Sequence, residues 1–237
     1  MTEFIHTGRE KKQFVQNMFD DISGRYDFLN HLLSFGIDYY WRFRLLRSLP
    51  DTLAQPVLDV ATGTGDVGFL LQNKYPGTMI VGLDYSFQMT RQCLKKITGR
   101  QAPSFHVIQG DGEKLPFPDQ TFSAITIAFG FRNIGHYDSA LAEFHRVLIP
   151  GGTLHILEFA QPRPSLWGRL YTWYFTTVLP KIGAFFSRAD AYRYLPESVA
   201  AFPSRDALSS LLMEQGFHAV KIQNLTFGTV TLITAAV

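Results

Sequence analysis

Cysteine is almost missing from these 237 residues; Cys93 is the only one. That excludes an intrachain disulfide and a cysteine-rich zinc site. Its neighbours Met89, Leu94 and Ile97 at helical spacing mark it as a core residue. Net charge is nearly missing too, at +2 with histidine neutral, so the bulk balance predicts no nucleic-acid partner. Nor is there an Asn-Pro-Pro-aromatic motif of the kind that handles a flipped base. No apolar run is long enough to span a bilayer. The most apolar stretch, Leu170 to Phe186, is broken by Pro180 and Lys181 and falls short of the ~20 residues required. The opening MTEFIHTGREKKQF carries early charges and no apolar segment ahead of a small-residue cleavage site, so it is not read as a signal peptide. The chain is expected to be soluble and cytoplasmic. His145 and His155 lie in a helix and a strand with no metal-ligand spacing; both are read as satisfied histidines, and no metal requirement is expected.

What is present is a core-forming composition, 46% hydrophobic and 18% charged, which rules out wholesale disorder. From Pro56 onward, short β-rich runs alternate with helical ones, the pattern of a parallel sheet with crossover helices. Strands are expected at 56–61, 79–84, 105–109, 122–128 and 153–159, with two closing strands near 217–223 and 226–235 forming an antiparallel hairpin. Helices are expected at Asp66–Lys74, Ser86–Ile97, Tyr137–Leu148 and about 205–215, the last capped by Ser204. Pro150-Gly151-Gly152 is expected to stop the third of these and turn the chain into the fifth strand. The fold class is α/β, in a single domain of four segments. Residues 1–50 form a helical cap, 51–160 the ligand-binding core, 161–203 an aromatic insertion placed as a lid, and 204–237 the closing helix and hairpin.

The first expected strand runs into G-T-G-D-V-G, with glycines at Gly63, Gly65 and Gly68, and Asp84 lies nineteen positions past Gly65. This is the fingerprint of a dinucleotide site with its ribose-binding acid. Charge separates two candidate ligands. A dinucleotide sets its pyrophosphate at the helix N-terminus, where Asp66 stands, with Asp59 in the preceding strand; both repel phosphate. S-adenosylmethionine carries a sulfonium and an ammonium instead, which carboxylates attract. The loop is therefore read as an S-adenosylmethionine site, with a nicotinamide-dependent dehydrogenase as the competitor. Gly63 and Gly65 are expected to let the cofactor approach closely. Asp84 can accept from both ribose hydroxyls, or cap the next helix. Asp111 can accept from the adenine amino group with Gly112 letting the ring lie close, or the pair is an ordinary turn.

Further segments carry a resemblance. Tyr26-Asp27-Phe28-Leu29-Asn30 continues through Ser34-Phe35-Gly36 to Trp41, and Arg146-Val147-Leu148-Ile149-Pro150-Gly151-Gly152 leads to Glu158-Phe159. Between them stand LPFPDQTF at 115–122 and FGFRN at 129–133, and YRYLPES follows at 192–198. Over nearly its whole length the chain resembles the C-methyltransferases that complete menaquinone and ubiquinone biosynthesis. The resemblance implies a Rossmann-like S-adenosylmethionine-dependent methyltransferase fold, a mostly parallel seven-stranded sheet with helices on both faces. It implies cofactor contacts at Thr64, Asp84, Asp111 and Gly112, beside those read from the loop at Asp59, Gly63 and Gly65. The chain departs from the family at Leu29 (usually methionine), Asp38 (histidine), Ile149 (lysine) and Ala160 (serine). Asparagine-alanine is commoner at 111–112. Ala128 replaces a serine that contacts the cofactor in many members.

The implied acceptor is a reduced polyprenyl quinone, most simply demethylmenaquinol, with a benzoquinol precursor of ubiquinone as the alternative and a non-catalytic quinone-binding protein as a third possibility. A quinol, and more so its phenolate, pushes electrons onto the adjacent ring carbon, which attacks the sulfonium methyl. A phenol has a pKa of about 10, so a base or cation would assist, and alignment alone supplies roughly 7–11 kcal/mol in the best cases. The candidates are Arg132, to stabilise the phenolate, with Asn133 and Tyr26 to orient a hydroxyl or water. Each has a structural alternative: an ion pair, a turn, and core packing. The insertion at 162–188, with Trp167, Tyr171, Trp173, Tyr174, Phe175, Phe185 and Phe186 flanked by Arg163, Arg169, Lys181 and Arg188, is read as a peripheral contact with the inner face of the membrane or as an aromatic lid. A second copy of the chain is a further candidate partner.

Overall fold

Val57, Leu58, Asp59 and Val60 are all buried, the state of a strand covered on both faces. This strand, β1 (Val57–Val60), is central in the computed structural model, which describes residues 7–162, 166–178 and 189–237. With β2 (Ile80–Asp84), β3 (Phe105–Gln109), β4 (Phe122–Ala128), β5 (Leu148–Phe159), β6 (His218–Leu225) and β7 (Val230–Ala236) it forms one sheet of order β3-β2-β1-β4-β5-β7-β6. Strands β1 to β5 pair in parallel, and β7 runs antiparallel to both β5 and β6. The expected seven-stranded α/β sheet with its antiparallel closing pair is what forms.

Two boundaries differ from expectation by four residues or more. β5 starts at Leu148, five residues before Thr153, because Leu148 already has extended dihedrals (φ −75°, ψ 139°) and pairs with Phe122 before the register shifts to Ala124 and Thr153. Pro150-Gly151-Gly152 therefore makes a bulge inside the strand. Its Gly151, at φ +76°, donates its N–H to the Val237 carbonyl at 2.8 Å. β7 starts at Val230 because Thr226–Gly228 fold into a short 3-10 turn.

The described helices are α1 (Gly8–Ile22), α2 (Tyr26–Leu33), α3 (Ile37–Ser48), α4 (Asp66–Lys74), α5 (Phe87–Arg100), α6 (Tyr137–Val147), α7 (Leu166–Trp173), α8 (Ala189–Ala201) and α9 (Arg205–Glu214). Ser204 caps α9 as expected, accepting from the Ala207 N–H at 3.2 Å. Alternation along the strands feeds two cores. Leu58 and Val60 join Ile127, Leu141, Phe144 and Leu212 on one face, while Val57 joins Leu45, Leu71, Cys93 and Phe105 on the other. Cys93 is wholly buried there, and burial pushes its thiol up to about 12; it is a core residue. A third cluster, Val15, Met18, Ile22, Leu29, Tyr194 and Val199, ties α1 and α2 to α8 above the sheet. Chain direction diverges between β1 and β4, so a crevice opens at their C-terminal ends. No described helix is long and apolar enough to cross a membrane.

Candidate functional site

The loop leaving β1 takes the left-handed conformation at Ala61, Gly63 and Gly65 (φ +51°, +57° and +93°). Its glycines serve different ends. A Cβ at Gly63 would meet only the Tyr26 ring, at 3.9 Å, so this glycine faces open space. At Gly65 a Cβ would lie 2.6 Å from Cys93 Sγ, and at Gly68 2.1 Å from the Phe105 ring. Those two let α4 settle against α5 and β3. The clearance expected at Gly65 for a cofactor is therefore spent on packing, and only Gly63 clears the groove.

The carboxylates gather around that groove. Asp84 Oδ2 accepts from the Gly63 N–H at 2.8 Å and Oδ1 from the Ser86 N–H at 2.9 Å, which locks the loop onto the end of β2. Ser86 caps α5 through the Met89 N–H, so the cap alternative for Asp84 does not hold. Asp59 is buried and accepts from Thr62 Oγ1 at 2.6 Å and Thr126 Oγ1 at 2.7 Å. Burial raises both Asp59 and Asp84 to about 6, against the hydrogen bonds they accept. Asp111 accepts from Lys12 Nζ at 2.7 Å and the Glu113 N–H at 2.9 Å, leaving each oxygen a further lone pair. Gly112 points its missing side chain down at Val60 Cγ1, 3.3 Å from an added Cβ, so it fits the floor of the groove onto β1.

Asp66 requires a correction. Its charge does not stand alone at the start of α4, because Lys96 Nζ lies 3.2 Å away and Arg42 Nη2 3.4 Å away. Lys96 also binds Asp27 at 2.5 Å and donates to Thr64 Oγ1 at 3.0 Å, while Thr64 donates to Asp27. Arg42 pairs with Asp38 as well. Around the loop two cations thus face five carboxylates, Asp27, Asp38, Asp59, Asp66 and Asp84. The surroundings stay acidic, but less so than Asp59 and Asp66 alone suggest.

Two clefts open from this point. The first, about 760 Å³, is lined by Ala61, Gly63, Asp84, Asp111, Gly112 and Asn133, and continues past Gly63 into a recess bordered by Asp59, Thr64 and Asp66. It joins an acidic end to an apolar floor of Val60, Leu83 and Ile134, which suits a nucleoside carrying cationic groups and offers no cradle for a pyrophosphate. The second, about 950 Å³, is mainly apolar, with Leu29, Trp41, Phe159, Tyr171 and Tyr174 in its wall. Phe19, Tyr26 and Phe129 line both and form the partition between them. The N-terminal helices make the roof. Lys12 binds Asp111 and Glu113, Asp20 accepts from Ser86 Oγ at 2.5 Å, and Lys11, buried, donates to the Ile134 carbonyl at 2.7 Å. Burial and Arg132 lower Lys11 to about 8.

The three residues expected to act on the acceptor come together here. Tyr26 bonds Asn30, and burial raises its phenol above the ordinary value. Arg132 lies in the second cleft, its Nη1 2.8 Å from Glu158 Oε1 and its Nε 3.3 Å from Ser198 Oγ. Burial opposes its charge, and the wholly buried Glu158 more than restores it. The structural ion pair is therefore real, yet Arg132 Nη2 finds no acceptor among the described residues. Arg132 lines the second cleft, which leaves Nη2 as the guanidinium nitrogen open to a ligand there. Asn133 lines the first cleft and its Oδ1 accepts from Tyr194 at 3.2 Å. Asp38 also lines the second cleft, with His31 Nδ1 at 2.6 Å and Ser34 Oγ at 2.7 Å. Burial works to raise its carboxyl, but Ser34 and Arg42 prevail and hold it low. The chain thus sets Asp38 of α3 against the His31 imidazole from the preceding helix, α2.

Sequence reading missed Lys12, Asp27, Arg42 and Lys96, which act on the site across dozens of positions, and Phe129 as partition. His155 is as expected: buried, bonded to Ser48 Oγ at 2.8 Å and Thr153 Oγ1 at 2.9 Å, and lowered to about 3 by burial. The insertion places Tyr171, Tyr174 and Tyr194 in the wall of the second cleft, together with Met18, Phe19 and Ile22 of α1. Residues 163–165 and 179–188, with Arg163, Lys181, Phe185, Phe186 and Arg188, lie outside the described residues, as do the side chains of Trp167, Arg169 and Phe175. Among the described residues no three His, Cys, Asp or Glu side chains are grouped to hold a metal.

Comparison with known proteins adds the following. The profile of the ubiE/COQ5 methyltransferase family matches residues 6–236. The ubiquinone/menaquinone biosynthesis C-methyltransferase UbiE of Geobacter sulfurreducens is 43% identical over 227 residues, 95% of this chain and 89% of that protein. The demethylmenaquinone methyltransferase of Thermus thermophilus is 44% identical over 91% of this chain and 97% of its own length. That of Deinococcus radiodurans is 45% identical over 93% and 91%. Among solved structures, a SAM-dependent methyltransferase from Aquifex aeolicus has the same fold at 19% identity, with a TM-score of 0.62 over 82% of this chain and 88% of that one. Phosphoethanolamine N-methyltransferase 2 of Haemonchus contortus, solved with S-adenosyl-L-methionine, superposes with a TM-score of 0.67 at 16% identity, over 94% of this chain and 48% of that one.

Proposed function

Because the chain belongs to the ubiE/COQ5 methyltransferase family, we propose that it methylates a ring carbon of a reduced polyprenyl quinone, demethylmenaquinol before a benzoquinol, with S-adenosylmethionine as donor. One observation carries this reading: an acidic, nucleoside-sized groove and a larger apolar cleft share the wall Phe19, Tyr26 and Phe129. The family match and the paired acids set aside the dehydrogenase alternative. Asp84 and Asp111 would hold the adenosine, and the recess at Asp59, Thr64 and Asp66 the ammonium end. When bound, the donor supplies an electrophilic methyl on a sulfonium sulfur.

This chain's own side chains do the rest. The apolar wall of the second cleft excludes water and takes the ring and the start of its tail. Arg132, its guanidinium held by Glu158, would bind the quinol oxygen through Nη2 as that oxygen gains negative charge. Tyr26 fixes the approach from one cleft to the other, and Asn133 braces the partition from the donor side. Incubation with labelled S-adenosylmethionine and each reduced quinone, followed by mass spectrometry of the extracted lipid, tests the reading. Label on the naphthoquinol ring is expected. Label on the benzoquinol alone overturns the preferred acceptor, and label on neither overturns the function.

A further inference from the structure

Helix α3 buries Asp38, Trp41 and Arg42 toward the second cleft and Leu45 in the adjoining core, at helical spacing. Its opposite stripe is Tyr40, Phe43, Arg44 and Arg47. An ordinary solvated stripe carries mixed charge, yet Tyr40 is 45% and Phe43 54% exposed. Between Phe28 and Leu49 the only carboxylate is the buried Asp38. The same surface continues through Leu32 and Ile37 (both 40% exposed) and Phe35 (74%). Phe35 sits at φ +51° ahead of Gly36 at +74°, and it stays mostly exposed although its ring lies 5.8 Å from that of Tyr174.

Arg44 and Arg47 lie 5.7 Å and 5.8 Å from the ring centres of Tyr40 and Phe43. With Ser48 and Gln223 of β6 they border an open hollow of about 710 Å³. Neither guanidinium meets a carboxylate among the described residues. The face thus combines exposed aromatic rings with uncompensated positive charge.

We propose that this face docks on an anionic phospholipid bilayer. Leu32, Phe35, Ile37, Tyr40 and Phe43 enter the interfacial layer while Arg44 and Arg47 meet lipid phosphates. Charge complementarity selects this occupant. A two-fold pairing of the face with a second copy would set Arg44 and Arg47 toward arginines, and the one carboxylate of α3, Asp38, is buried on its other side. The purpose of the surface rests on the acceptor reading, since a polyprenyl quinol is itself dissolved in lipid and the inner side of these helices lines its cleft. The binding does not depend on it.

Flotation of the full chain with phosphatidylcholine vesicles, with and without phosphatidylglycerol, tests the surface in the absence of quinol. The chain should float with anionic vesicles and be released by salt. Arg44→Gln with Arg47→Gln should weaken binding about 30-fold, the equivalent of about 1 kcal/mol for each guanidinium. Phe35→Ser with Phe43→Ser should weaken it comparably, and both pairs should keep methyl transfer to a short-chain, water-soluble quinol. Wild-type protein that ignores anionic vesicles, arginine variants that bind unchanged, or a dimer dispersed by these substitutions overturns the proposal. A chain that floats but methylates no quinol faults the acceptor and upholds the surface.

Discussion

Arg132→Ala removes the Nη1 donor 2.8 Å from Glu158 and leaves that carboxylate wholly buried. Stranding one partner of a buried pair costs about 3–5 kcal/mol. Two backbone donors survive, the Arg132 N–H at 3.0 Å and the Phe159 N–H at 2.9 Å, which places this case near the lower end, about 3 kcal/mol. At this chain length each kcal/mol lowers Tm by roughly 2–4 °C, so a fall of about 6–12 °C is expected. Lost turnover in this variant alone would therefore conflate folding with chemistry. Arg132→Lys separates them. It keeps a cation for Glu158, forfeiting about one ordinary hydrogen bond, roughly 0.5–1.5 kcal/mol, but cannot reproduce the planar fork that sends Nη2 into the cleft. Its turnover should drop about 10²–10³-fold, the effect of losing one donor to a developing oxyanion, with cofactor affinity unchanged by calorimetry. Thermal melts run beside single-turnover methyl transfer decide the matter. A lysine variant with wild-type turnover would falsify the role of Nη2.

Gly68→Ala, with its Cβ 2.1 Å from Phe105, should destabilise by at least the 1–3 kcal/mol typical of an overpacked core, measured by urea unfolding. Gly63→Ala, whose Cβ meets only Tyr26, should fold with a smaller loss and bind the cofactor poorly; equal stability losses would refute the division between them. Asp84 is raised to about 6 by burial, so it gains a proton in the empty protein as pH falls from 7.5 to 5. Cofactor affinity should then decline by up to about tenfold per unit below 6, with a flatter profile in Asp84→Asn; a flat wild-type profile would contradict this. His155 stays neutral in the folded chain down to about pH 3, whereas its unfolded form takes up a proton near 6.5. Stability should therefore be lost as pH falls below 6.5, by at most about 1.4 kcal/mol per unit. His155→Gln should show less acid loss than wild type by chemical denaturation.

The sheet was legible because its evidence is local. Runs such as Phe122–Ala128 are apolar wherever they are placed, and Ser204 caps a helix through a residue three positions away. The start of β5 was not, since Leu148 becomes strand only by pairing with Phe122, and pairing leaves no trace in periodicity. The donor loop was legible from spacing, but spacing cannot tell Gly63 from Gly65; only the arrival of Cys93 and Phe105 does. Likewise Asp66 looked like a bare charge because Arg42 and Lys96 reach it from other helices, 24 and 30 positions away. Tyr26, Arg132 and Asn133 came from the family likeness, and their convergence on one partition is a property of the folded chain.

The roof over the donor groove also bears on the order in which the chain can assemble. Lys12 finds Asp111 across 99 positions and Lys11 finds Ile134 across 123, so α1 can meet α5 through Asp20 and Ser86 but cannot finish docking until β4 and its 3-10 turn exist. A lone helix of 15 residues is marginal in water, and contacts this distant form slowly. The groove is complete only when α1 has found these partners about a hundred positions on. A methyl donor bound beneath that segment would lock the closure, adding about 2.7 kcal/mol at a hundredfold excess over Kd. Hydrogen exchange in α1 should slow accordingly, so the cofactor doubles as a reporter of finished folding.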